Sequence, residues 1–212
     1  TETSDMSDNG NSVGSAGSST STIISGGNGR SPTASSEEFI GAGAPVGAWA
    51  TANPMNTGRN GLAGAGSYTS AVAFGGFKGP SSGYANETET YNGSNWTEVN
   101  NMNTARSTLG GNGSSDSNAL AYGGEAAAPT FMNGLTETWN GTNWTEVNDM
   151  NTARRSLAGS GVTNTAALAF GGFATPLTLA CTEAYNGTSW TAGGAIITCR
   201  TSLAGVGTQN TA

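Results

Sequence analysis

The chain has 212 residues, with 34 Gly, 6 Pro, 10% charged residues and a net charge of −7. No apolar run is long enough to span a bilayer as a helix, and one Lys with six Arg is too little cation for a surface that neutralises phosphates. The absence of His removes the zinc, triad and proton-shuttle chemistries that rely on imidazole.

Residues 1–12 are acidic and polar, which does not describe a secretory signal peptide. A composition this rich in Gly and Ser reads as disordered unless it is periodic. Here it is periodic. Gly doublets stand at Gly26-Gly27, Gly75-Gly76, Gly123-Gly124 and Gly171-Gly172. Trp49, Trp96, Trp144 and Trp190 follow in phase, as do Arg59, Arg106, Arg154 and Arg200, and Met6, Met55, Met102 and Met150. Residues 1–60 form a polar lead-in and a degenerate first repeat, with Gly41-Ala42-Gly43 where later units place Asn-Gly. Residues 61–106, 107–154 and 155–200 are full repeats, and 201–212 begin another.

Each full unit predicts four short strands. The first follows the Arg, as in Leu62–Gly66 and Leu157–Gly161. The second runs into the Gly doublet, as in Ala71–Phe74, Ala119–Tyr122 and Ala167–Phe170. Its larger side chains alternate with Ala, the period-two pattern of a strand whose faces pack differently. The doublet ends that strand where a side chain would clash. The third and fourth strands flank Asn-Gly, with Tyr91 and Trp96, Trp139 and Trp144, and Tyr185 and Trp190 on either side. Asn-Gly supplies the positive φ angles of a tight hairpin, so the flanking aromatics should pack across it.

Four strands in about 48 residues, a Gly doublet after the second and paired aromatics around the third turn resemble the kelch repeat of β-propellers. The resemblance implies an all-β propeller built of four-stranded blades, about four in this chain. The aromatics stand closer together than in the usual kelch repeat. The repeat wording (Asn-Gly-Thr-Ser-Trp, Asn-Thr-Ala-Arg, Ala-Leu-Ala-Phe-Gly-Gly) is also similar to that of bacteriophage structural proteins. It implies a virion or extracellular location, with other copies of the chain, other structural proteins or host surface glycan as partners; a self-assembling extracellular filament is the alternative role. Met6–Gly17 aligns with Met102–Gly113, and Leu203–Gly207 repeats the first strand. Both ends therefore fall inside a unit. This fits a segment of a longer chain, ahead of a small closed ring or completion by neighbouring copies.

Candidate sites follow from the same register. Glu89, Glu137 and Glu183, with Glu38 as the expected first-unit counterpart, recur once per unit like the Arg series. An acid and a base in every copy describe a structural pair, or Arg bonding to loop carbonyls, better than a catalytic group. No enzyme activity and no cofactor or metal site is therefore expected. Asp5, Asp8, Asp116 and Asp149 form no spaced calcium loop. Asn86, Asn92, Asn95, Asn112, Asn140, Asn143 and Asn186 stand in Asn-x-Ser/Thr sequons. They read as glycosylation acceptors or as turn chemistry, since three lie at the hairpin itself. Cys181 and Cys199 fall at one edge of a unit, where a disulfide or two free thiols both fit. The connections between second and third strands vary most, which makes Phe77, Phe131, Met132 and Phe173 candidate contact residues, or residues tucked against the neighbouring unit.

Overall fold

The computed structural model describes residues 14–18, 21–27, 32–40, 48–129, 131–205 and 207–208. Met6, Asp5, Asp8 and the Gly41–Gly43 stretch lie outside these residues. Among the described residues the chain is all-β, with no helix.

Four antiparallel sheets follow one another. The first contains β1 (Gly14–Ser18), β2 (Ser21–Ser25), β3 (Ser36–Ile40) and β4 (Ala48–Ala52). The second contains β5 (Ala63–Ser67), β6 (Ser70–Phe74), β7 (Thr88–Tyr91) and β8 (Trp96–Val99). The third contains β9 (Gly110–Ser115), β10 (Asn118–Tyr122), β11 (Thr136–Trp139) and β12 (Trp144–Val147). The fourth pairs β13 (Ala158–Thr163), β14 (Ala166–Phe170), β17 (Thr182–Tyr185) and β18 (Trp190–Ala192). A short hairpin of β15 (Phe173–Ala174) and β16 (Leu177–Thr178) is inserted into the fourth unit. Strand order follows chain order in each sheet, so connections alternate between two edges. Loops 75–87, 123–135 and 171–181 share one edge with the links between sheets.

β1 packs beside β5, β5 beside β9, and β9 beside β13. These inner strands, with Leu203, Ala204, Gly205, Gly207 and Thr208, line a cavity of about 1010 Å³. This arrangement is consistent with a propeller-like fold. The apolar cores lie between sheets. Val72 and Phe74 face Leu109, Ala119, Ala121 and Trp144 of the next sheet. Leu120 and Tyr122 likewise face Leu157, Ala167, Ala169 and Trp190. The alternation of large residues with Ala thus has a packing cause: β6 and β10 each send their large side chains forward and their alanines back. Interiors pack at crystal-like density, so two large faces would not fit one junction.

The Gly doublets have a specific cause. Both members hold positive φ in each doublet, for example 67° at Gly75 and 112° at Gly76, where a side chain is strained. A Cβ on Gly75 would lie 2.8 Å from the Arg106 carbonyl oxygen, the same oxygen that accepts the Gly76 N–H at 2.9 Å.

The hairpins differ from the Asn-Gly expectation. Gly93, Gly141 and Gly187 have φ near 90°, but none of the preceding Asn residues has positive φ. Four residues make the connection, and the Asn side chain shapes it. The Asn92 carboxamide oxygen accepts the N–H groups of Ser94 and Asn95 at 3.0 and 2.9 Å. This is an Asx turn. It still brings the flanking rings together, with centroids 5.0 Å apart for Tyr91 and Trp96 and 5.4 Å for Trp139 and Trp144.

Candidate functional site: buried junctions and a variable rim

Each link between sheets carries Met-Asn-Thr-x-Arg, and the structure shows what that segment does. The backbone of Arg106 stays with the second sheet, where its carbonyl meets the Gly doublet. Its side chain enters the third. There Nη2 lies 3.0 Å from the Glu137 carboxylate, and Nη1 donates to the carbonyls of Leu135 and Gly123 at 2.5 and 3.2 Å. The other Glu137 oxygen accepts the Asn103 backbone N–H at 2.8 Å and its side-chain amide at 2.9 Å. Arg59 pairs with Glu89 at 3.2 Å, and Arg154 pairs with Glu183, in the same cage. All three Arg side chains have no exposed surface. Burial draws Arg106 down to about 10 against the opposing pull of Glu137, and lowers Arg59 in the same way. A buried pair is costly to desolvate and strongly destabilising to break. These residues hold sheets together.

The first-unit counterpart is Glu37, not Glu38. Glu37 stands opposite Ile24 as Glu89 stands opposite Ala73, Glu137 opposite Ala121 and Glu183 opposite Ala169. Glu38 instead accepts the Tyr91 hydroxyl of the next sheet. The two acids are adjacent in sequence, so only pairing register separates them.

Trp residues complete each junction by reaching back. The indole N–H of Trp96 donates to Ser36 at 3.1 Å, that of Trp144 to Thr88 at 2.9 Å and that of Trp190 to Thr136 at 3.0 Å. The Trp144 ring stands 4.9 Å from Phe74, and the Trp190 ring 4.9 Å from Tyr122. Asn side chains clasp the outer part: Asn53 reaches Ser94, Asn100 reaches Thr142 and Asn148 reaches Thr188.

The variable loops form a different surface. Phe77 is half-buried and packs edge-on against Tyr84 of its own loop, centroids 5.5 Å apart. The Tyr84 hydroxyl donates to Glu125 at 2.8 Å, and Arg155 donates to the other Glu125 oxygen at 2.8 Å. The Arg155 guanidinium lies 5.3 Å above the Phe173 ring. This chain of contacts crosses three units. Burial, then the Glu125 bond, pushes the Tyr84 phenol up to about 12. Glu87 in the same loop is held below its usual range: burial acts upward most strongly, but the bond from Lys78, a backbone bond and the charges of Lys78 and Arg59 together outweigh it. Of the four candidate contact residues, Phe131 alone is exposed, at 60%, whereas Phe77, Met132 and Phe173 are half-buried. Leu177, 65% exposed on the inserted hairpin, joins Phe131 as a protruding apolar side chain. Sequence reasoning missed Tyr84, Glu125, Arg155 and Leu177. Their signal was departure from the repeat: Glu125 replaces the Phe that follows the doublet in two other units, and Arg155 adds a second Arg in one unit alone.

The remaining candidates separate cleanly. Asn92, Asn95, Asn140, Asn143 and Asn186 are exposed. Asn112 is not a surface acceptor, being buried on the cavity wall with its amide nitrogen 2.6 Å from the Thr163 carbonyl. Asn86 is half-buried and donates to the Met102 carbonyl. Cys181 and Cys199 are free thiols, and the Cys181 sulfur accepts an Arg154 N–H at 3.2 Å. Asp116 accepts the Ser70 hydroxyl, and Asp149 the Thr136 N–H. No protein-family model matches the chain, and no curated protein matches it.

Proposed function

We propose that this chain is a kelch-like β-propeller module with a non-enzymatic binding and structural role in an extracellular assembly. The assembly we favour is a bacteriophage virion, with the chain as a tail-fibre or decoration protein contacting host surface glycan or other virion proteins. One observation carries the binding role. Three repeated acids and three repeated bases are committed to buried cages between sheets, while the residues that break the repeat gather on one rim, around Tyr84, Glu125, Arg155 and Phe131. A regular scaffold presenting irregular loops is the usual design of a recognition surface. The virion assignment rests on the resemblance of the repeat wording alone. A glycan-acting enzyme on the same scaffold has less support, because Glu89, Glu137 and Glu183 each face an Arg.

The test is a glycan array and a virion-protein pull-down with purified chain, repeated with Phe131→Ala/Leu177→Ala. Saturable binding should weaken roughly tenfold or more in the variant, since an anchoring side chain commonly carries above about 1.4 kcal/mol. Binding that ignores the rim variant, or no binding at all, overturns the proposal. So does turnover that a single carboxylate substitution abolishes.

A further inference from the structure

The rim carries a second, smaller pairing system. In three consecutive units the residue after the repeated Arg pairs with the residue after the Gly doublet, which pairs in turn with a residue on the returning loop. In the second unit this row is Asn60, Phe77 and Tyr84. In the third it is Ser107, Glu125 and Met132, where Ser107 and Glu125 exchange backbone bonds at 2.8 Å. In the fourth it is Arg155, Phe173 and Thr178, where Arg155 and Phe173 exchange bonds at 3.1 and 2.8 Å. Directly opposed residues present their side chains to one face. The repeated Arg and the Gly doublet fix the backbone of every row, yet only Phe77 and Phe173 recur within the rows. A constant backbone with varied side chains suits a recognition surface.

Side chains join the rows. Tyr84 donates to one Glu125 oxygen and Arg155 to the other, each at 2.8 Å, so both carboxylate oxygens are engaged. Tyr84 keeps its proton at neutral pH, since burial and then Glu125 push its phenol up to about 12. Arg155 is held from a second direction, its guanidinium lying 5.3 Å above the Phe173 ring. Only its Nη1 donates within the described residues, and the side chain is 38% exposed. The Nε–Nη2 edge is therefore open on a group already fixed in place. That edge is the planar fork that grips a carboxylate through two parallel bonds. Fixing it in advance lowers the ordering cost of binding. Lys78, the half-buried cation of the neighbouring loop, is a point charge already held by Glu87.

We infer that Arg155 reads a carboxylate and that the ligand of the rim is an acidic saccharide, a uronic or nonulosonic acid within a glycan. The carboxylate takes the Nε and Nη2 protons of Arg155. The half-buried rings of Phe77 and Tyr84, with Met132, offer apolar surface to the C–H faces of adjoining sugar units. The paired backbone groups of the rows are already bonded to one another, which favours recognition through rings and a planar ion over addition of a peptide strand. A net charge of −7 repels anions at a distance, so selectivity arises at the contact rather than by steering. The inference rests on the binding role proposed above for this rim and adds the chemistry of its ligand.

The test is a glycan array in which each uronic- or nonulosonic-acid oligosaccharide is printed beside its carboxyl-reduced form, probed with the full chain. The wild type should prefer the acid on the order of tenfold or more, the scale of a hydrogen bond to a charged group. This comparison needs no variant, so it stands even where a substitution disturbs folding. Arg155→Gln should abolish the preference and leave binding of the reduced form unchanged. Arg155→Lys keeps the charge without the fork and should lose most of the preference. Equal binding of acid and reduced forms, or a preference that survives Arg155→Gln, overturns the inference. So does binding of an oligoglutamate peptide or of virion proteins in place of any glycan. In each of those cases, binding that Phe131→Ala/Leu177→Ala weakens leaves the binding role of the rim standing. No binding of any kind removes both.

Discussion

Arg106→Met isolates the energetics of one junction. The substitution leaves the Glu137 carboxylate buried without its cation, although Asn103 still occupies one oxygen. Breaking a buried pair from one side costs about 3–5 kcal/mol, and the Gly123 carbonyl loses its guanidinium donor, worth about 1–3 kcal/mol. The two losses share one cage and do not add fully. Two observations offset them: the Arg106 Nε is buried with no partner, and burial already disfavours the cation. Met is apolar and of similar reach, so the net loss should be about 3–5 kcal/mol. Against a typical domain stability of about 5–15 kcal/mol this approaches unfolding. With a urea slope of about 1–3 kcal/mol/M the midpoint should fall by more than about 1 M. Arg200→Met, at the same repeat position but exposed, should change stability by no more than about 0.5 kcal/mol in dilute solution. Arg106→Met/Glu137→Gln should recover about 1–3 kcal/mol, because no uncompensated charge remains while Gln still accepts from Asn103. Urea unfolding followed by Trp fluorescence and far-UV circular dichroism measures all three. Equal losses at Arg106 and Arg200, or a loss below about 1 kcal/mol at Arg106, would refute the cage as a source of stability.

Gly159→Ala should cost about 1–3 kcal/mol, because its Cβ would lie 1.7 Å from the buried Tyr122 hydroxyl, whereas Gly194→Ala meets nothing within 4 Å and should be neutral; thermal melts of the pair decide this. Trp144→Phe keeps a ring against Phe74 but removes the donor to Thr88, and should destabilise by about 1–3 kcal/mol, with an unchanged melting temperature as the contrary result. Alkaline titration tests the phenols. Burial raises Tyr84, Tyr91, Tyr122 and Tyr185, with Glu125 adding to Tyr84 and Glu38 to Tyr91. The folded state therefore favours the protonated form. That stabilisation is complete below the ordinary value of about 10 and is lost as pH rises through the folded values, about 12 for Tyr84. Absorbance at alkaline pH should show these phenols ionising late and together with loss of β-structure; one early step for all of them contradicts this.

What was legible in the sequence was whatever a single strand or hairpin encodes. The alternation in Ala119–Tyr122 marks a strand with unequal faces, the doublet marks its end, and Asn140-Gly141 marks the next turn. Each signal spans a few residues, and its repetition multiplied the evidence for four-stranded units. The same recurrence identified Glu137 and Arg106 as a structural pair without showing that the Arg reaches into the following sheet.

The sequence by itself determined strand content and the structural character of the repeated acid and base. Tertiary structure decided everything that depends on which sheet faces which. Arg106 and Glu137 belong to consecutive sheets, and the Trp144 indole meets Thr88, 56 residues earlier. Register across β2 and β3 chose Glu37 over Glu38, because adjacent strand residues point to opposite faces. Burial on the cavity wall removed Asn112 from the exposed sequons, and contacts between loops of different units assembled the rim. Partners dozens of residues apart leave no local spacing to read. They are brought together only when sheets stack, and the free energy of that stacking lies in the junctions rather than in any one unit.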